Sequence, residues 1–180
     1  MNQSFALVTV RVASTRLPKK CLLVIIDDIT AIQVVIRRAK KIGCTIILTT
    51  SVASSDDPLI EIAKKENIQY FRGSKKNKIK RWADCFTHYD IDNAILVDGD
   101  DLTFDYNVAK RALNLLQNGN IDFVTTSTEM TPGFFTYGIT LDKINQVFKP
   151  TEGYRATFNQ SLPLIQDSTT MKKEKCHINS

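Results

Sequence analysis

No glycine stands between residues 6 and 42, and the whole chain of 180 has only seven. The first polar loop, which opens after the apolar run 5–10, therefore holds neither a GxxxxGKS/T phosphate loop nor a GxGxxG dinucleotide turn. Phosphate binding there has to rely on side-chain cations instead of a glycine cradle. Histidine is equally scarce, with only His88 and His177, and the four cysteines at 21, 44, 85 and 176 never fall two to four residues apart. A zinc site is not expected from that spacing. Cys44 and Cys85 sit in apolar patterns and read as small core residues of a reducing compartment. No stretch approaches the ~18–20 apolar residues of a membrane span. The opening "MNQSF" lacks the basic and apolar regions of a signal peptide, so a cytoplasmic location is expected.

What is present is a core-forming chain with its charge in blocks. Hydrophobic residues make up 43% and the formal net charge is +5, which favours anionic partners. Two basic clusters stand out, "IRRAKK" at 36–41 and "FRGSKKNKIKR" at 71–81. Helical periodicity makes the second a solvated face, and no interleaved aromatic set accompanies it, so nucleic acid is not the expected partner.

Short apolar strands alternate with amphipathic helices. Strands are predicted at 4–10, 44–50, 68–72, 94–97 and 121–127. Helices are predicted over roughly 29–42, from Pro58, over about 78–89, and after a cap at Asp105, the last ending near Gly119. Ile32, Val35, Ile36 and Ala39 mark the buried face of the first. Within the third, Trp82 reads as core and His88 as surface. Five such alternations imply an α/β fold, a Rossmann-like three-layer sandwich with a mostly parallel sheet. A single domain is expected over 1–165. The polar tail 166–180 is expected to lack regular structure.

In such a sheet, ligands bind outside the carboxyl ends of the strands. The loop after the first strand carries Arg11, Ser14, Thr15, Arg16 and Lys20, cations and hydroxyls suited to phosphate. The competing reading is a solvated basic loop. "SVASSDD" follows the second strand. After the fourth strand comes "DGDD", with Asp98, Asp100 and Asp101 around Gly99, which is expected to permit a tight turn. Clustered carboxylates repel unless a cation compensates, and magnesium carried in with a triphosphate is the natural one. An Asp-Gly turn is the alternative.

At these residues the chain resembles the sugar-activating cytidylyltransferases, namely the CMP-Kdo synthetases, the spore-coat polysaccharide type and, more distantly, the CMP-sialic acid synthetases. "RVASTRLPKKCL" is similar to their RxxSTRLPxKxL motif. "TTSVASSDDPLIEIAKKENIQYFRGS" resembles the ATS…DDP…FRGS segment, "KIKRWADC" the DVLDRYY helix, and "VDGDDLTFD" the TGDxPLID and QGDEPLI segments. The resemblance covers roughly residues 5–130. It implies a nucleotide-diphospho-sugar transferase-like fold and transfer of CMP from CTP to an acidic acceptor with release of pyrophosphate. Arg11, Arg16 and Lys20 would act on the triphosphate. Ser14, Thr15, Arg81 and Asp98 would complete the nucleotide site. Asp100 would hold magnesium, with Asp167 the candidate for a second metal-binding aspartate. Tyr154 and Arg155 could contact a substrate acid or belong to a hairpin surface. A homodimer is implied, with the apolar stretch 134–148 as its expected surface. The alternative function is a nucleotide-binding remnant without catalysis. Four positions depart from the family pattern. Lys19 replaces a glycine, "IIDDI" a glycine-containing turn, Lys80 an acid, and Leu102 a proline.

Overall fold

The computed structural model describes residues 4–13, 17–118, 121–126, 131–147 and 175–178. The first strand, β1 (Phe5–Thr9), is buried along its whole length. Its side chains alternate between two apolar layers. Ala6 and Val8 face one and Phe5 and Leu7 the other, the period of two that a strand covered on both faces requires. A short hairpin follows, β2 (Val24–Ile26) with β3 (Ile29–Thr30). Then come α1 (Ala31–Lys40), β4 (Thr45–Ser51), α2 (Asp57–Lys65), β5 (Gln69–Gly73), α3 (Lys78–Tyr89), β6 (Asn93–Asp98) and α4 (Tyr106–Gln117). The chain continues through β7 (Phe123–Thr126), β8 (Tyr137–Thr140), α5 (Leu141–Val147) and β9 (Lys175–Ile178).

Among the described residues, seven strands form one sheet in the order β5-β4-β1-β6-β8-β7-β9. β1 pairs in parallel with both β4 and β6, and β4 with β5. The mostly parallel sheet is flanked by two helical layers. One contains α1, α2 and α4, whose Ile32, Val35, Leu59, Val108 and Leu116 pack against Ala6, Val8 and Leu48. The other contains α3 and α5, whose Trp82, Phe86 and Ile144 pack against Phe5, Leu7 and Leu96. The α/β three-layer expectation therefore holds.

Caps set the helix starts. Asn77 Oδ1 accepts from the Lys80 amide at 2.9 Å, and Asp105 Oδ1 accepts from the Asn107 amide at 2.7 Å. Thr30 opens α1, its amide donating to Gln33 Oε1 at 3.1 Å. Gly119, the expected stop of α4, lies outside the described residues.

Three features differ from the sequence expectation. The "VIIDDIT" segment forms a hairpin, with Asp27 at φ +48° in its turn. The stretch 134–148 is not an exposed association surface, because Phe135, Ile139 and Ile144 are buried. β8 enters the sheet antiparallel between β6 and β7, with Gly138 letting Leu116, Ile95 and Val124 close over it. Its burial follows from that central place. The tail expected to lack structure also contains β9, which pairs in parallel with β7. Of 166–180, only that strand lies within the described residues.

Candidate active site

The carboxyl ends of β1, β5 and β6 meet around a cleft of about 400 Å³. Its lining includes Arg11, Lys20, Lys75, Lys76, Lys78 and Arg81, against Asp98 and Asp100. Six cations facing two carboxylates give the cleft a net positive lining, which favours anions.

The first loop is anchored at both ends. Thr9 Oγ1 accepts from Trp82 Nε1 at 2.8 Å and bonds Thr49 Oγ1 at 3.0 Å, fixing the exit of β1. The Val12 amide donates to Asp56 Oδ1 at 2.9 Å, and the Lys19 amide to the Val12 carbonyl at 3.3 Å. Lys19 adopts φ +56°. That conformation favours glycine. Lys20 then forms an ion pair with Asp100.

Asp56 is 1% exposed and acts as a structural hub. Burial pushes its carboxyl up. Hydrogen bonds from Ser51, Val12 and Thr50 outweigh this and hold it below the ordinary value. Asp57 pairs with Arg72 at 2.8 Å, and Arg72 also donates to the Ser51 and Ala53 carbonyls. The polar segment after β4 therefore braces the first loop instead of lining the cleft.

The basic run 71–81 is not a uniform solvated face. Arg81 is 2% exposed, donates from Nη1 to the Ser74 carbonyl at 2.7 Å, and has a buried Nε with no hydrogen-bond partner among the described residues. Burial, then the nearby Arg11, lowers its pKa to about 10. Lys78 pairs with Asp98 and lies 4.8 Å from the centre of the Trp82 ring. Lys75 and Lys76 are exposed at the cleft. These lysines are the lining residues that sequence reasoning did not single out, because helical periodicity says nothing about a loop folding back over a neighbouring strand. Lys80, by contrast, faces out and pairs with Asp84 at 2.7 Å.

At the end of β6 the acids diverge. Asp98 and Asp100 line the cleft, while Asp101 accepts from Thr136 Oγ1 at 3.0 Å. Burial, reinforced by Asp98 and Asp100, raises the Asp101 pKa to about 6. Gly99 is needed for close approach more than for the turn. A Cβ there would meet Val10 Cβ at 2.7 Å and the Thr9 carbonyl oxygen at 3.0 Å. The structure thus brings together Arg11, Lys20, Arg81, Asp98 and Asp100. Ser14, Thr15, Arg16, Asp167, Tyr154 and Arg155 lie outside the described residues.

The mostly parallel α/β sheet with its flanking helices has the nucleotide-diphospho-sugar transferase-like fold. The family model for cytidylyltransferases matches residues 5–164, and the chain belongs to that family. A cytidylyltransferase from Leptospira borgpetersenii serovar Hardjo-bovis superposes with a TM-score of 0.80 at 25% identity, over 98% of this chain and 76% of that one. A CMP:2-keto-3-deoxy-manno-octonic acid synthetase solved with CTP gives 0.69 at 14% identity, over 91% and 84%. A Mycobacterium tuberculosis protein solved with manganese gives 0.65 at 13%, over 99% and 89%. An uncharacterized protein of Methanocaldococcus jannaschii is 24% identical over 145 residues, or 79% of this chain. The chain spans 59% of the length of that relative. No helix among the described residues is long and apolar enough to cross a membrane.

Proposed function

We propose that the protein is a CTP-dependent cytidylyltransferase that moves CMP onto an acidic small-molecule acceptor, an acidic sugar or similar acid, and releases pyrophosphate. The observation that carries this reading is the convergence of Arg11, Lys20 and Arg81 with Asp98 and Asp100 on one cleft in a chain of this family. Arg11 and Lys20 bind the triphosphate, joined by Arg16, Ser14 and Thr15 from the same loop. Arg81 and Asp98 contribute to the nucleotide site. An acceptor hydroxyl oxygen attacks the α-phosphorus. The bond from that phosphorus to the bridging oxygen breaks, pyrophosphate leaves with the electron pair, and the hydroxyl proton passes to solvent. Cations fixed around the phosphates offset the charge that develops there.

Asp98 and Asp100 offer carboxylate oxygens at one strand exit, the donor type that hard divalent cations take. Magnesium would be held by Asp100, with Asp167 as a further ligand, and when bound supplies charge neutralisation at the phosphates. Lys20 engages Oδ2 of Asp100, and an arriving phosphate would offer Lys20 a further partner.

The test is pyrophosphate release from CTP with magnesium and a panel of acid acceptors, alongside nucleotide-induced thermal shifts. CTP is expected to stabilise the protein and to be consumed. Stabilisation by ATP or GTP and not by CTP overturns the assignment. CTP binding without turnover on any acid points to the noncatalytic alternative.

A further inference from the structure

We infer that Thr136 is a positioning residue of the site: its hydroxyl fixes the backbone at Asp98 and holds Asp101 aside, so that Asp98 and Asp100 face the cleft without the third acid. This rests on the reading above, in which Asp98 contributes to the nucleotide site and Asp100 holds magnesium.

The need arises where the sheet ends. β6 pairs with β8 from Asn93 opposite Thr140 to Leu96 opposite Tyr137, and the pairing stops before Val97 and Asp98. On its other edge β6 runs on. Asp98 lies opposite Thr9 of β1, and the Gly99 amide donates to the Thr9 carbonyl at 2.9 Å. Successive amides of a strand point to opposite edges, so the Asp98 amide faces the edge that β8 has left. A backbone donor there needs a partner. Thr136, one residue before β8, supplies it, and its Oγ1 accepts from the Asp98 amide at 3.2 Å.

The same hydroxyl donates to Asp101 Oδ2 at 3.0 Å. With one proton and two lone pairs, it receives the amide and serves the carboxylate at once. Asp98 and Asp100 line the cleft, and Asp101 does not. Three carboxylates within residues 98–101 repel one another. Drawing one of them aside relieves that repulsion and leaves the other two free to meet a cation and a nucleotide.

Thr136 is itself held. The Asp105 amide donates to the Phe134 carbonyl at 2.6 Å, and Thr103 Oγ1 donates to the Gly133 carbonyl at 3.3 Å. Phe135 is buried in the same apolar core as Phe104. A side chain locked by its neighbours is what an orienting partner of a ligand requires.

The experiment is calorimetric titration of cytidine 5′-(α,β-methylene)triphosphate into the full chain, with and without manganese, which reads the gain in affinity that the metal brings. Thr136→Val keeps the shape and removes the hydroxyl. It is expected to lose at least about tenfold of that gain, the usual cost of removing a partner that orients a metal ligand. Thr136→Ala, which adds no bulk, is measured beside it with the same expectation. Thr136→Ser restores the hydroxyl and is expected to restore the gain. Asp101→Asn is expected to keep the gain, because Asp101 is held out of the cleft. A purely structural role would lower the urea midpoint of the valine and alanine variants and leave the gain intact, which overturns the inference. Equal losses in the serine and valine variants overturn it by assigning the effect to packing. A loss in Asp101→Asn overturns it by making Asp101 a ligand. If the unaltered protein shows no binding of the analogue, or no gain with manganese, the reading above falls and this inference with it.

Discussion

Lys19 and Gly99 stand on opposite sides of the glycine rule. Lys19 occupies a left-handed conformation at φ +56° with its side chain exposed. That costs a non-glycine residue roughly 1–2 kcal/mol, of which roughly 0.5–1 is returned because glycine loses more chain entropy on folding. Lys19→Gly is therefore expected to raise stability by about 0.5–1 kcal/mol, seen as a higher urea midpoint with an unchanged slope. A lower midpoint would show that the lysine makes a compensating contact. At Gly99 the constraint is space. Two of the three nearest atoms to an added Cβ are Val10 Cβ at 2.7 Å and the backbone oxygen of Thr9 at 3.0 Å, and backbone cannot rotate away. Gly99→Ala is expected to cost about 1–3 kcal/mol in the same measurement. Asp100→Asn keeps the size and removes the charge. Asp100 is exposed, so the fold should survive, while magnesium-dependent turnover should be abolished. Normal turnover in that variant would remove Asp100 from the metal role.

The first four helices were legible from the sequence while α5 was not, and α3 was expected to within a residue because Ile79, Trp82, Ala83 and Phe86 recur on one face. The hairpin of β2 and β3 was not, since two- and three-residue strands leave no periodicity to read. Nor was the clamp between α1 and α2. Glu66, 6% exposed, accepts from Gln33 Nε2 at 2.8 Å and Arg37 Nη2 at 2.8 Å, with Lys40 3.4 Å away. Burial raises its pKa, but hydrogen bonds from Arg37 and Gln33 and the charges of Arg37 and Lys40 prevail, holding it below the ordinary 4.5. A depressed carboxylate stabilises the fold above its ordinary pKa, and that contribution is lost as the pH falls through the folded-state value. The denaturation midpoint should accordingly fall as the pH drops below 4.5. Glu66→Gln should start from a lower midpoint at neutral pH and show a shallower acid decline. Parallel profiles for the two proteins would assign the acid loss to other carboxylates.

For the whole molecule, association is the open quantity with a direct measurement. A homodimer is proposed, and sedimentation of the full chain should show one; a monomer would overturn it. The expected contact surface at 134–148 is unavailable, because it supplies core residues on β8 and α5. Exposed apolar side chains instead gather on the β2–β3 hairpin, at Leu23, Val24, Ile25 and Ile26. By itself, the sequence determined the alternation of strand and helix, the two-sided burial of β1, and the cations and acids at the ends of β1 and β6. Those depend on periodicity and on the rule that ligands sit at strand exits, both of which are local in the chain. Only the tertiary structure decided which charges face one another. Arg81 and Lys78 turn into the cleft, while Asp56, from the segment after β4, turns into the core. The ion pairs Lys20–Asp100 and Lys78–Asp98 join residues 80 and 20 positions apart. The insertion of β8 between β6 and β7 is likewise a long-range choice, because an antiparallel strand pairs wherever a free edge is left and no local pattern names that edge.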